Sequence, residues 1–166
     1  MCSVFKARTM QGLMALVTGV ILLTAFYLQY TEALLPCPLC LMQRGMTVGL
    51  LLLAILGFLL KRLANSRLIL GGELFFALAG AFFALRQLWL EHLPMPETGM
   101  CMPGVEHLLH KLPWHEVLHA FIWGSATSCG EVSWSFLGAS MAMWSLTYFL
   151  LMLLMVCVGL VKRFTL

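Results

Sequence analysis

The sequence is short of charge. Asp, Glu, Lys and Arg together make up 10% of its 166 residues, where an ordinary soluble domain carries about 25%. That deficit, set beside 61% apolar residues and a mean hydropathy of +0.95, excludes a soluble globular protein and points to an integral membrane one. Also missing is an A-x-A cleavage site after the first apolar run, which is itself longer than the 7 to 15 residues of a signal-peptide core. That run is therefore expected to be a retained helix.

Four stretches, at about 10–28, 41–60, 68–90 and 137–161, are long and apolar enough to cross a hydrocarbon core about 30 Å thick, which takes about 20 helical residues. They leave little room for a soluble domain, so the chain reads as one all-α transmembrane domain, a four-helix bundle with loops at 29–40 and 91–136. Cations fix the orientation, because short loops rich in Lys and Arg stay in the cytoplasm. Lys6, Arg8, Lys61, Arg62, Arg67, Lys162 and Arg163, seven of the ten, fall on one side. Glu32, Glu97, Glu106, Glu116 and Glu131 fall in the opposite loops, with Glu91 at their edge. Both termini are expected in the cytoplasm, and the net charge of +3 reflects topology rather than nucleic-acid binding.

Compartment sorts the six cysteines. Disulfides persist mainly outside the cytosol, so Cys37, Cys40, Cys101 and Cys129, all in the outer loops, form a candidate redox set. Cys157 reads as a small apolar packing residue, and Cys2 has no evident role. The stretch "PCPLCLMQR" at 36–44 is the densest in chemistry. Pro38 suits a first helical turn, where the missing N–H is no loss, which starts the second helix between the two cysteines and puts Cys40 in its first turn. The positive end of the helix dipole and a nearby arginine favour thiolate over thiol, and Arg44, four residues on, shares a helix face with Cys40. A stabilised thiolate makes the corresponding disulfide a stronger oxidant. A purely structural bridge here would close too short a loop to add much stability. Zinc held by all four outer cysteines would more commonly use two close pairs.

The run "QYTEALLPCPLCLMQR", a third span ending in "RQLWLEHLP", a lone Cys101, and then "SCGEVSWSFLG" before the fourth span closely resemble the DsbB family of membrane disulfide-generating proteins. In the related vitamin K epoxide reductase family the loop cysteines precede the C-x-x-C, whereas here they follow it. The resemblance implies a bacterial inner-membrane protein in which the Cys101 and Cys129 pair oxidises a periplasmic DsbA-like thioredoxin-fold partner. Cys101 would form the mixed disulfide, Cys129 would exchange with Cys37, and Cys40 would contact a membrane quinone, ubiquinone or menaquinone. A partner that is itself a strong oxidant needs such a terminal acceptor. Arg44 and Gln29 match family positions near the quinone ring. Many relatives carry His where this chain has Gln87, which leaves Arg86, Gln87 and His92 as candidates at the same membrane edge.

Residues 115–119, "HEVLH", formally match the H-E-x-x-H of zinc metalloproteases, with Glu116 as base. The resemblance instead expects this segment to form a short amphipathic helix lying on the membrane, with no metal site. Gly45 and Gly49 form a G-x-x-x-G that lets neighbouring helices approach, or marks a dimer interface. Glu73, inside the third span where charge is costly, is expected to snorkel towards Arg67 or Lys61. Together these features and the resemblance imply a dithiol-to-quinone oxidoreductase, against a membrane metalloprotease or a non-catalytic assembly subunit with structural bridges.

Overall fold

A computed structural model describes residues 2–31, 37–60, 66–92, 113–123 and 135–164. Helices α1 (Cys2–Thr31), α2 (Pro38–Leu59), α3 (Arg67–Glu91) and α5 (Met141–Phe164) are the long elements, and a short α4 (Trp114–Trp123) precedes a two-stranded hairpin, β1 (Ser135–Phe136) and β2 (Ala139–Ser140). Each long helix contains a segment able to cross a membrane: Arg8–Thr31, Pro38–Leu59, Arg67–Glu91 and Met141–Val161. The chain is a multi-pass membrane protein. Helix α2 packs between α1 and α3, α3 packs on α5, and α4 rests against α2, whereas α1 and α5 touch only lightly.

Caps explain where the helices begin. Pro38 opens α2 with Cys37 as its N-cap, three residues before the apolar run alone suggests. Ser66 caps α3 by accepting from the Leu68 N–H at 3.2 Å. The fourth span is corrected at its start, from 137 to Met141. Leu137 and Gly138 have φ of 54° and 79°, and Ser135 pairs with Ser140 and Phe136 with Ala139. Two consecutive positive-φ residues are the signature of a tight two-residue hairpin turn, and Ser140 then accepts from the Met143 N–H at 3.4 Å to start α5. Hydropathy runs unbroken through this turn, so it shows no boundary there.

Burial follows a helical stripe on each element. On α2 it runs Leu39, Gln43, Thr47, Leu50, Ala54, Gly57, and on α3 Leu70, Glu73, Ala77, Gly80, Ala84, Gln87. Met14, Leu50, Ala77, Phe149, Met152 and Val156 meet in the main core, and Leu39, Phe83 and Leu90 form a second cluster against Cys37. Gly80 lets the Phe149 ring lie directly on α3, where any Cβ would overlap it, and Gly49 does the same for Phe76. Gly45, the other half of the G-x-x-x-G, has open space around it. Glu73 does not snorkel: its phase places it in the buried stripe of α3, fully inaccessible, where the Gln11 amide of α1 donates to its Oε2 at 3.2 Å.

Candidate functional site

The local geometry of the C-x-x-C follows from the capping arrangement. Because Cys37 is the N-cap residue and Pro38 the first residue of α2, Cys40 falls in the first turn, and its backbone N–H donates to Cys37 Sγ at 3.4 Å. The two sulfurs lie 3.1 Å apart, in contact but longer than the 2.05 Å of a disulfide. Both cysteines are half-buried. Orphan N–H groups of the first turn give this end of α2 a partial positive charge.

From Cys40 a polar network crosses to α3. The Cys40 thiol contacts Gln87 Oε1 at 3.5 Å, and the Gln43 amide donates to the same oxygen at 2.8 Å. Gln43 and Gln87 are both buried. Thr47, one turn further along α2, donates its hydroxyl to the Gln43 carbonyl at 2.9 Å. These residues wall one end of a cavity of about 500 Å³ that lies between α1 and α5. The rest of its lining is largely apolar, from Val17, Ile21 and Leu28 of α1 and Trp144, Phe149 and Met152 of α5. At its floor Tyr148 donates to Thr18 Oγ1 at 3.0 Å, tying α5 to α1.

Arg44 also lines the cavity, and its guanidinium reaches α1, bonding Gln29 Oε1 and the Ala25 carbonyl. It lies over the Phe26 ring, 5.4 Å from the centroid. The sequence-derived candidates thus separate. Cys40, Arg44 and Gln87 share the cavity wall, Gln29 joins them through Arg44, and Cys37 stands behind Cys40. Arg86 is not in the cavity lining, and His92 caps α3 with Nδ1 2.8 Å from the Leu88 carbonyl. Cys101 and Cys129 lie outside the described residues. His115 and His119 of the H-E-x-x-H are exposed on α4.

Gln43, Thr47, Thr18 and Tyr148 were not singled out by sequence reasoning. A signal existed for two of them: Gln43 and Thr47 follow Cys40 at spacings of three and seven, which is one helix face.

The fold and site define a class, a four-helix membrane protein with a helix-capping dithiol beside a cavity within the bundle. The family model described as "Disulfide bond formation protein DsbB" matches residues 7–159. The protein named Disulfide bond formation protein B from Marinobacter nauticus is 36% identical over 96% of this chain and 95% of its own length. Its namesake from Acinetobacter baumannii is 37% identical over 95% and 92%, and that from Hahella chejuensis 42% identical over 76% of each. The chain belongs to the DsbB family, oxidoreductases of disulfide bond formation.

Proposed function

We propose that the chain is a thiol:quinone oxidoreductase of the bacterial inner membrane, which reoxidises a periplasmic DsbA-like thiol oxidase and passes two electrons through Cys101 and Cys129, then Cys37 and Cys40, to a membrane quinone. The observation that carries this reading is the position of Cys40, at the polar end of an otherwise apolar cavity of about 500 Å³. That volume is within the range of small-molecule pockets, and an apolar body with a few convergent polar groups is the lining such ligands select. The residues fit a flat ring with two carbonyl oxygens and an apolar tail: Cys40, Gln43, Arg44 and Gln87 at one end, aliphatic and aromatic side chains beyond. The light contact between α1 and α5 suits a ligand arriving between them from lipid.

A bound quinone supplies a two-electron, two-proton acceptor. The chain's own groups do the rest. Cys101 takes the mixed disulfide with the partner as its bond to Cys129 breaks, and the freed Cys129 attacks Cys37, forming a Cys129–Cys37 bond and releasing the Cys40 thiol. Cys40 is the cysteine of the pair that lines the cavity, and Arg44, also in the lining, is braced by Gln29. The cationic ends of the helices are placed in the cytoplasm and the cysteine loops in the periplasm, where disulfides persist.

Mixing purified protein with a reduced DsbA-like partner and a quinone, and following quinone absorbance, tests the reading. Stoichiometric loss of quinone that depends on partner thiols and vanishes in Cys40→Ser is expected. No thiol-dependent loss in the wild-type protein would favour a non-catalytic subunit. Stoichiometric zinc with activity dependent on Glu116 would favour a protease.

A further inference from the structure

Buried amides need partners at both ends, because an amide left unpaired in an apolar interior forfeits the hydrogen bonds it had with water. Gln43 and Gln87 are 6% and 7% exposed and lie on adjacent helices. Their mutual bond uses only one end of each: Gln43 gives its Nε2, and Gln87 receives at its Oε1, which also accepts from Cys40. Among the described residues, the buried side-chain polar atoms without a partner are Gln11 Oε1 and Glu73 Oε1, at the far end of the bundle. The opposite ends of this pair, Gln87 Nε2 and Gln43 Oε1, are left for the occupant of the cavity that both residues line.

We propose that Gln43 and Gln87 form an interlocked donor and acceptor that holds one ring oxygen of the quinone beside Cys40, in both of its redox forms. This rests on the thiol:quinone reading and assigns Gln43 a role in it. A quinone oxygen is only an acceptor, and Gln87 Nε2 donates to it. The corresponding quinol oxygen carries a hydrogen, and Gln43 Oε1 accepts that O–H. The net step is balanced: the Cys37 and Cys40 thiols lose two electrons and two protons as their S–S bond forms, and the quinone gains both to become the quinol. Neither glutamine gains or loses a proton, so the pair acts by position. The Gln43 to Gln87 bond fixes which way each amide faces. Turning one amide alone would set two N–H groups or two carbonyls against each other, so the pair keeps its register. It also ties the ring to the thiol, because the Gln87 oxygen that receives Gln43 also contacts Cys40.

Equilibrium titration of the purified, quinone-free protein with a short-chain ubiquinone, and separately with its quinol, tests the pairing. Each dissociation constant is compared across Gln43→Leu, Gln43→Glu, Gln87→Leu and the double leucine variant. Loss of one net hydrogen bond predicts about 3- to 10-fold weaker quinone binding in each leucine variant. The double variant should be about as weak as either single one, because the two act as a unit. Gln43→Glu can no longer donate to Gln87, so it should disfavour quinone more than quinol and change their affinity ratio at least 5-fold. Partner-thiol attack measured without quinone should stay at the wild-type rate in all four, which reports an intact fold. The proposal is overturned if quinone and quinol affinities fall in parallel in Gln43→Glu, if the leucine variants bind quinone within 2-fold of wild type, or if their losses simply add. Failure of the wild-type protein to bind or reduce any quinone is a separate result, and it would remove the thiol:quinone reading itself.

Discussion

Arg44 shows how a residue chosen for one reason in sequence acquires another in three dimensions. Its spacing from Cys40 suggests a cation beside a thiolate, yet its guanidinium grips α1 through Gln29 Oε1 and the Ala25 carbonyl, with Phe26 beneath it. Two separate nitrogens serve two acceptors, which a planar fork does well and a single ammonium does poorly. Arg44→Lys should therefore raise the quinone Michaelis constant several-fold, and Arg44→Ala by about 10- to 100-fold, as expected for bonds to a charged group worth about 1.5 to 3 kcal/mol. On the proposed electron path the partner attacks the Cys101 and Cys129 pair, which lies in another loop of the sequence, so that step should keep its single-turnover rate in both variants. Stopped-flow mixing without quinone separates the two steps. Equal slowing of that first step and of overall turnover, with quinone affinity intact, would make Arg44 a purely structural residue.

At the scale of the helices, what was legible divides by the kind of force involved. Hydropathy located all four spans because a lipid-facing helix is apolar on every side. For the same reason it could not show which side faces inward. Gln11, Gln43, Glu73 and Gln87 each sit in a run that looks uniformly apolar, and only packing reveals that they lie on buried stripes. The start of α2 was readable from Pro38 and Cys37, whose roles are local. The start of α5 was not, since a positive φ at Leu137 is rare for a branched apolar side chain and leaves no trace in composition. Depth alone suggests that Glu73 snorkels, whereas its helical phase puts it in the buried stripe and decides its partner. The Gln11 and Glu73 pair leaves Gln11 Oε1 and Glu73 Oε1 without donors. Glu73→Gln would bring an N–H to the Gln11 oxygen and remove a buried carboxyl, so it should match or exceed the wild type in thermal midpoint in detergent. Glu73→Ala strands the Gln11 amide and should cost about 1 to 3 kcal/mol. A Glu73→Gln protein clearly less stable than the wild type would show that the carboxylate itself is required.

Over the whole molecule, the two ends of the bundle differ in chemistry. One end gathers the starts of α1 and α3 with Arg8 and Arg67, where Arg8 donates to the Phe58 carbonyl at 3.1 Å at the close of α2. The other gathers the Cys37 and Cys40 pair, the cavity and the hairpin that leads into α5. The antiparallel course of the helices makes this separation unavoidable, because alternate connections return to the same end. In the proposed orientation, with the cations on the cytoplasmic side, the dithiol lies on the side where disulfides persist, so topology and redox chemistry depend on one another. Leu137 and Leu68 mark the two ends and are 82% and 84% exposed, which makes them reporters that disturb no packing. In a background with the native cysteines replaced, Leu137→Cys should react with a membrane-impermeant maleimide added to intact spheroplasts, and Leu68→Cys only after lysis. The reverse pattern would place the cysteine pair in the reducing compartment, where a resting disulfide would not persist. It would thus remove the orientation and, with it, the direction of electron flow from a periplasmic partner.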